Sequence, residues 1–402
     1  MKKLYISICL MLITAASYAQ WTQQNSGTLG NLFSVCFTAP DTGHIVSVHG
    51  IILNTINGGT NWAVQPSGTT VTLIAVFFTD RDNGYVVGDS GIILKTTNGG
   101  NNWTEQTSGT TDRLNSIFFA DANIGYAVGG NYIPNSTILK TNNGGGNWTA
   151  QTSGTVNILN SLYFLNADTG YICGINGTIL KTINGGTNWI SLTSGTTNDI
   201  KSIFFTDANN GYAVGGDYIG NGTILKTVDG GANWTAQAIA TGILLSVYFI
   251  DADTGYTVGI NGTILKTTNA GNTWTALYSG IQYFALGSVN FTNSLTGYAV
   301  GGIAGTSNNV ILKTTNGGMF VEEGQLSGIA INVFPNPTSN ILTIETPEKS
   351  FIEILSLQGQ VIKSIHNVDK TTTVDVSNLS SGLYLIKATS EKGVGINKFI
   401  KE

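Results

Sequence analysis

The sequence is poor in charge. Charged residues make up only 10% of its 402 residues, against about 25% in an average soluble domain. The net charge is −5 and no basic run is present, so the chain lacks the positive surface of a nucleic-acid-binding protein. Gly, Thr, Asn and Ser take the place of the charged residues, which predicts many short strands and tight turns and few helices.

Residue types that serve most in catalysis and metal binding are also scarce. The chain has three histidines, His44, His49 and His366, and two arginines, Arg81 and Arg113. A sialidase needs three convergent arginines, so that activity is excluded. No Ser-His-Asp or Cys-His set can be assembled from these histidines, and zinc-ligand spacing is absent. We therefore expect no catalytic residue, no metal and no cofactor.

Long apolar runs are missing, apart from one near the start. Lys2 and Lys3 precede an apolar run over 4–16, and Ser17-Tyr18-Ala19 follows with small residues. This order is typical of a signal peptide at 1–19, with the mature chain beginning at Gln20. The run is too short to span a membrane, and no later stretch is apolar enough, so we predict no membrane-spanning segment.

Cysteine is rare as well. Cys9 lies in the predicted leader, whereas Cys36 and Cys173 stand where other copies of a repeat, described next, have Phe118 and Val128. Both therefore take apolar positions in separate repeat units, where the short separation that a disulfide needs is not expected. We predict two buried free thiols.

What the chain does contain is a repeat of 40 to 45 residues. All seven tryptophans follow it: Trp21, Trp62, Trp103, Trp148, Trp189, Trp234 and Trp274. The period is that of a four-stranded propeller blade. In one unit the strands are expected at 114–119, 125–129, 137–141 and 148–152.

The two ends of the repeat array complement each other. The last unit stops at Gly318 without its Trp strand, and the chain begins with an orphan copy of that strand at 21–27. The N-terminal strand is therefore predicted to complete the last blade and to remove the free sheet edges. The expected fold is all-β, a seven-bladed β-propeller over 20–319.

Six of the seven repeats carry a turn with Asn or Asp, two small residues and Trp, and the seventh has the turn without Trp. We predict that the turn stabilises the blade and binds nothing, through these residues: Asn57, Trp62, Asn98, Trp103, Trp148, Asn184, Trp189, Asp229, Trp234, Asn269 and Trp274. The turn resembles the Asp-box, or bacterial neuraminidase repeat. With the Gly-Tyr-x-Val-Gly segments, the array resembles the photosystem II stability and assembly factor-like propellers. This resemblance implies the fold but little about function, because Asp-boxes occur in sialidases, sortilin-type receptors, xyloglucanases and propellers without activity.

After a predicted linker at 320–327 the composition changes. Residues 328–402 have more charge, no Trp and alternating strands, which predicts a small Ig-like β-sandwich. The opening at 334–337 (Phe-Pro-Asn-Pro), the segment 382–384 (Gly-Leu-Tyr) and the Lys-x-x-Lys ending at 398–401 resemble the type A sorting domain of the type IX (Por) secretion system of Bacteroidota. The resemblance implies that the type IX machinery and a surface sortase are partners, and that the product is released or attached to surface lipopolysaccharide.

Loops on a rigid scaffold commonly carry binding residues. The loops between second and third strands are long at 130–136, 216–222 and 302–309. They are expected to share one face with the loops that join successive blades, opposite the Asp-box turns. Candidate ligand-binding residues on that face are Asp89, Asp112, Arg113, Tyr132, Asp199, Asp217 and Tyr218, joined by Lys201 and Tyr283. Neutral drift between duplicated blades explains the loop lengths equally well.

Two further patterns have simple structural interpretations. Acidic turns such as 80–84 and 251–255 resemble short calcium loops, but the ligand set is incomplete and hairpin turns explain them. The six lysines of the Ile-Leu-Lys-Thr segments, from Lys95 to Lys313, are expected to be solvated strand-end residues.

The sequence therefore predicts a secreted or surface-displayed propeller, expected to be a monomer, that binds a glycan or protein partner without catalysis. One alternative is a glycoside hydrolase like the xyloglucanase propellers, which needs two carboxylates about 5–9.5 Å apart; these would come from Asp89, Asp112, Asp199 and Asp217. Another alternative is an assembly scaffold like the photosystem II factors.

Overall fold

A computed structural model describes residues 21–131, 135–217, 219–237, 239, 241–303, 305–318, 330–356, 361–390 and 393–402. The chain divides into two compact units at residue 320, which are described separately. The predicted signal peptide and the predicted linker lie outside the described residues and stay predictions.

The first unit consists of seven antiparallel four-stranded sheets. Their first strands are Leu32–Phe37, Leu73–Phe78, Leu114–Phe119, Leu159–Phe164, Asp199–Phe205, Leu244–Phe249 and Ala285–Phe291. Their second strands are Gly43–Ser47, Gly84–Gly88, Gly125–Gly129, Gly170–Gly174, Gly211–Gly216, Gly255–Gly259 and Gly297–Gly302.

The outer half of each sheet is formed by the third and fourth strands. The third strands are Ile52–Thr55, Ile93–Thr96, Thr137–Thr141, Ile179–Thr182, Gly222–Thr227, Ile264–Thr267 and Asn309–Thr314. The fourth strands are Ala63–Gln65, Thr104–Gln106, Thr149–Gln151, Ile190–Leu192, Thr235–Gln237, Thr275–Leu277 and, for the seventh sheet, Thr22–Gln24. Short 3-10 turns at Val48–Gly50, Asp89–Gly91 and Ile260–Gly262 join second to third strands.

The sheets form a closed ring. Each first strand contacts the first strands of both neighbouring sheets, and Leu32–Phe37 contacts Ala285–Phe291 across the junction of the chain ends. Strand Thr22–Gln24 pairs antiparallel with Asn309–Thr314, with Thr22 opposite Lys313 and Gln24 opposite Ile311. The predicted seven-bladed propeller, closed by its N-terminal strand, is confirmed.

The sequence of the second strands follows from their burial. Every residue of a strand such as Gly84–Gly88 is buried, because neighbouring blades cover both faces of the sheet. The glycine before each tyrosine makes room for the last Phe of the first strand: a Cβ on Gly84 would lie 2.5 Å from the ring of Phe78. The fourth strands are largely exposed and form the short outer edge.

Neighbouring blades are joined by a repeated contact of Tyr, Phe and Lys. Tyr298 stacks on Phe37 of the next blade at 3.9 Å between ring centroids, and its hydroxyl donates to the Gly58 carbonyl at 2.8 Å. Lys313 Nζ donates to the same carbonyl at 2.6 Å. Burial raises the pKa of Tyr298 to about 12, so the hydroxyl keeps its proton at neutral pH.

The prediction that the repeat lysines are solvated strand-end residues is wrong. Five of them donate to a backbone carbonyl in the next blade: Lys95, Lys140, Lys181, Lys266 and Lys313. The sixth, Lys226, donates to the Asn272 side chain of the next blade at 2.9 Å. All six lie over the ring of their own blade's tyrosine, where cation–π attraction adds to the hydrogen bond.

The Asp-box turns have a shared hydrogen-bond pattern. In the first blade Thr55 Oγ1 donates to Asn57 Oδ1 at 3.0 Å and accepts from the Gly59 N–H at 2.9 Å. Asn57 Oδ1 also accepts from the Asn61 N–H at 3.0 Å. Asp229 makes the equivalent bonds with an acidic side chain, and Asn143 and Asn316 occupy the same place in their turns.

The acidic turns and the cysteines have local roles. Asp80 Oδ1 accepts from the N–H groups of Asp82 and Asn83, both at 2.8 Å, so this carboxylate closes its own hairpin turn. Cys36 and Cys173 are free thiols, as predicted, but only Cys173 is fully buried, whereas Cys36 is partly buried. Desolvation still raises the pKa of Cys36 to about 11.

The second unit has two antiparallel sheets. Strands Asn332–Phe334, Ile341–Glu345 and Thr371–Asp375 form the first, and Ser350–Leu355, Val361–Val368, Gly382–Ser390 and Gly393–Lys401 form the second. Alternate residues such as Leu342, Ile354 and Phe399 form one apolar core. Among the described residues of the whole chain, no helix has the length and apolarity needed to cross a membrane.

Candidate binding face of the propeller

Two sets of loops form one face of the propeller, which we call the loop face. The loop after each second strand bonds to the loop that enters the same blade or the next: the Asp89 N–H donates to the Thr72 carbonyl at 3.0 Å. The Gly130 N–H donates to the Arg113 carbonyl at 3.0 Å, and the Gly177 N–H to the Asn198 carbonyl at 2.9 Å. The Asp-box turns lie at the other end of the strands.

A central channel opens on the loop face. Two successive residues near the start of each first strand line it, and the space measures about 340 Å³. The outer of these two positions holds Phe33, Ile74, Asn115, Asn160, Lys201, Leu245 and Gly287. The inner position holds serine in six blades and Ala75 in the second. The outer position therefore gives the channel mouth its chemistry.

At the outer position, polar side chains are confined to three successive blades, where Asn115, Asn160 and Lys201 form an arc that we call the polar arc. Asn115 Nδ2 donates to the Leu159 carbonyl and Asn160 Nδ2 to the Ile200 carbonyl, each at 2.8 Å. These bonds join the third, fourth and fifth blades at the mouth. Phe33, Ile74 and Leu245 occupy the same position in the first, second and sixth blades, so the other side of the mouth is apolar.

Two ion pairs lie at the polar arc. Lys201 Nζ is 3.0 Å from Asp199 Oδ2, whose side chain is only 8% exposed. Arg113 Nε is 3.6 Å from Asp89 Oδ1, and both of these side chains are more than one third exposed. Arg113 Nε also donates to Asn115 Oδ1 at 2.9 Å. The structure thus brings together four predicted site residues, Asp89, Arg113, Asp199 and Lys201, in two pairs.

Asp112 has a different environment from the two ion-paired aspartates, Asp89 and Asp199. Its carboxylate accepts from Asn131 Nδ2 at 2.5 Å, from Asn135 Nδ2 at 3.3 Å and from Thr137 Oγ1 at 2.5 Å. These three donors come from both ends of the long loop of the third blade. The carboxylate therefore holds that loop against the start of the blade.

Asp217 closes its own loop. Its Oδ1 accepts from the N–H groups of Ile219 and Asn221, at 3.1 and 2.8 Å, and its Oδ2 accepts from Asn221 Nδ2 at 2.8 Å. Hydrogen bonds from Asn221 hold the pKa of this carboxyl below its usual range. Tyr132 and Tyr218, the two predicted tyrosines of the long loops, lie outside the described residues.

Tyr283 belongs to the same face. Its side chain is 78% exposed, and its φ of 66° is in the left-handed region that non-glycine residues seldom occupy. The neighbouring Phe284 lines a groove at the ring junction together with Leu29 and uncharged polar residues such as Asn25 and Asn308.

The sequence reasoning missed Asn115, Asn160 and the apolar side of the channel. A usable signal was present, because Asn115 and Asn160 are each the second residue of a first strand. At this position of the repeat the residue type changes from blade to blade. Their common direction toward the axis becomes evident only when the ring is closed.

Solved structures with the same propeller fold include enzymes and binding proteins. YCF48 from Cyanidioschyzon merolae is 20% identical with a TM-score of 0.59, covering 73% of this chain and 98% of its own. A YCF48 bound to D1 peptide is 17% identical with a TM-score of 0.60, covering 74% and 98%. The GH74 enzyme of Niastella koreensis is 14% identical with a TM-score of 0.60, covering 94% and 67%.

Family models match both units. The model described as photosynthesis system II assembly factor YCF48 matches residues 13–110, 64–152 and 188–277, which together are more than half of the chain. The model described as a secretion system C-terminal sorting domain matches residues 332–402 and indicates type IX secretion to the cell surface or the medium. Comparison with curated proteins finds no match.

Proposed function

Because the chain belongs to the photosynthesis system II assembly factor YCF48 family and ends in a secretion system sorting domain, we propose that it is an exported propeller that binds a segment of another protein. The binding site in this proposal is the channel mouth on the loop face. No catalytic step is involved. A signal peptide at 1–19 would bring the chain to the periplasm before type IX export.

The observation that carries this proposal is the division of the mouth into a polar arc and an apolar side. A peptide segment has backbone carbonyls and carboxylates along with apolar side chains, and this mouth offers partners for both. Arg113 uses Nε for Asn115 and Asp89, and a guanidinium has two further amino groups that can donate. Lys201 likewise has three N–H donors, and its contact with Asp199 requires one. A YCF48 structure with a bound D1 peptide is consistent with such a ligand.

A glycan is the second candidate. The observation in its favour is the exposed, backbone-strained Tyr283 beside a groove whose described lining residues are all uncharged. Aromatic rings and amide groups suit neutral sugars, and strained residues often occur at ligand sites. This groove lies at the ring junction and not at the polar arc, so the two candidates can be separated by mutation.

The environments of two candidate carboxylates, Asp112 and Asp217, argue against the hydrolase alternative. Asp112 and Asp217 have their oxygens occupied by donors of their own loops. A general acid of a glycosidase needs a raised pKa, whereas the pKa of Asp217 is lowered. We therefore propose that these two aspartates stabilise loops.

Substituting Arg113 tests the peptide proposal. Peptides selected by the wild-type chain from a display library of random peptides are expected to bind Arg113→Gln about tenfold more weakly, because a charge-assisted hydrogen bond is lost. Arg81→Gln is the matched control, since Arg81 is the other arginine of the chain and lies in a turn at the opposite end of the blade. Isothermal titration with the selected peptides measures both affinities.

Three results would contradict parts of the proposal. Equal affinities of the two variants would remove the polar arc as the site. A library that yields no peptide, together with a glycan array that yields a ligand lost in Tyr283→Ala, would favour the glycan. Turnover of a β-glucan that depends on Asp89 or Asp199 would favour the hydrolase.

A further inference from the structure

The sorting domain has two sheets whose outer faces differ in chemistry. A sheet with one face on a core normally carries polar residues on the other face. The three-stranded sheet follows this rule except at Phe334 and Ile341, which are 45% and 57% exposed. Its outward residues alternate with the core residues Leu342, Ile344 and Val374, and they are Asn332, Phe334, Ile341, Thr343, Glu345, Thr371, Thr373 and Asp375.

The four-stranded sheet departs from the rule. In strand Gly382–Ser390 the residues Tyr384, Ile386 and Ala388 face the core, so Leu383 and Leu385 point outward. Leu383 lies opposite Ile400, and Leu385 lies opposite Leu355. Val361 extends the second row beyond Leu355. The apolar side chains are therefore neighbours across all four strands.

These side chains are exposed to an unusual degree. The exposed fractions are 54% for Val361 and Ile396, 47% for Ile400 and 39% for Leu383. Exposed apolar residues scattered singly need no explanation, but a contiguous group on one face marks an interaction surface. Ile396 lies opposite Lys387, at the charged border of this group. We call the other five residues, Val361, Leu355, Leu385, Leu383 and Ile400, the apolar sheet face.

Few charged residues lie around this face, and they differ in whether an ion pair compensates their charge. Lys398 lies opposite Leu385 and is exposed. Lys387 is paired with Glu353 at 2.9 Å, so its charge is compensated. A membrane surface would be matched by a cluster of several basic residues, and among its described residues this face offers one, Lys398, without an ion pair. An apolar protein surface with one carboxylate fits better.

From these observations we infer that the apolar sheet face is the docking surface of the sorting domain for a protein of the type IX machinery. That protein would present an apolar surface with a carboxylate opposite Lys398. The inference rests on type IX export of the chain and is independent of what the propeller binds. A sorting domain must be recognised by the machinery that exports it. Burial of the apolar sheet face against the partner would provide the binding free energy, and an ion pair with Lys398 would orient the partner.

The test uses the full chain expressed in a bacterium with a type IX system. Leu383→Thr combined with Ile400→Thr replaces one cross-strand apolar pair by residues that still favour strands. The amount of protein outside the cell is expected to fall about tenfold, as for the loss of central interface residues, with accumulation in the periplasm. Thr371→Val with Thr373→Val, on the outer face of the other sheet, is the matched control and is expected to be exported normally.

Folding and charge are tested separately. If the double variant is degraded in the periplasm, the single substitution Lys398→Glu, at an exposed side chain, replaces it and is expected to lower export at least several-fold through repulsion. Normal export of a folded double variant, or of Lys398→Glu, would overturn the inference. So would a wild-type dimer that the double substitution converts to a monomer with unchanged export, because the face would then join two copies. Loss of peptide binding by the propeller bears only on the proposed function.

Discussion

Replacing Trp21 by alanine is expected to lower the free energy of unfolding of the propeller by about 3–5 kcal/mol. Trp21 is only 1% exposed and packs edge-on against Phe291 at 5.9 Å between ring centroids. It stands next to the N-terminal strand that completes the seventh blade. The substitution therefore creates a cavity and also weakens the contact that closes the ring.

Denaturant titration followed by tryptophan fluorescence measures this effect, because all seven tryptophans lie in the propeller. Trp21→Phe is the matched variant. In the described part of the chain the Trp21 indole N–H has no hydrogen-bond partner, so Trp21→Phe removes packing volume but no hydrogen bond. We expect it to lower the free energy of unfolding by about 1 kcal/mol. Equal costs for alanine and phenylalanine would contradict the packing explanation.

Trp103→Ala separates closure from ordinary blade packing. Trp103 makes the same edge-on contact with Phe78, at 6.0 Å, within a blade whose four strands are continuous in sequence. It should lower stability while leaving the affinity of the folded protein for its ligand unchanged. Proteolysis at the N-terminal strand should increase in Trp21→Ala and not in Trp103→Ala; the opposite order would show that the strand is not held by Trp21.

Acidification is expected to destabilise the propeller through His44. This residue takes the place of the interblade tyrosine in the first blade and is fully buried, stacked on Phe78 at 4.1 Å. Asn54 Nδ2 lies 3.4 Å from its Nδ1, and Nε2 has no partner among the described residues. Burial lowers the pKa of His44 to about 4 from the ordinary 6.5.

The direction of the pH effect on stability follows from which state binds the proton. Between pH 6.5 and 4 the unfolded chain binds a proton at His44 and the folded chain does not, so stability is complete above pH 6.5 and falls as the pH drops toward 4. The pKa difference corresponds to about 3 kcal/mol. Urea titrations of the wild type and His44→Tyr at pH 7 and pH 4.5 measure it, and the pH-dependent loss should be smaller in the variant.

Two variants make the His44 measurement specific. His44→Tyr with Asn54→Lys restores the Tyr and Lys of the other blades and is expected to raise stability at both pH values. His49→Gln, at an exposed histidine, should retain the full pH dependence of the wild type. A pH dependence that persists unchanged in His44→Tyr would assign the effect to other groups.

The fold could be predicted from the sequence because its information is local and repeated. The spacing of the tryptophans gives the blade, and the orphan strand at 21–27 with the unfinished seventh unit gives the closure, now seen as the pairing of Thr22 with Lys313. The motifs of residues 328–402 indicated the sorting domain that a family model also identifies. Each of these signals is a short motif, or a comparison of copies of one short motif along the chain.

The candidate site could be predicted only in part, because its contacts join residues that are far apart in sequence. The carboxylate of Asp112 is occupied by Asn131, Asn135 and Thr137, and this follows from the path of a long loop that the sequence does not show. The repeat lysines point across to the next blade, because an acceptor oxygen of that blade's Asp-box turn lies within their reach, and the sequence does not show how close successive blades lie.

The sequence alone determined the number of blades, the way the ring closes, the Asp-box turns and the resemblance of the last segment to a sorting domain. The tertiary structure decided which side chains meet at the channel mouth, since equivalent positions of seven repeats converge only around a closed axis. It also decided that one sheet of the sorting domain exposes an apolar face. Alternation along a strand gives two faces, but only the packing of the second sheet determines which face is covered.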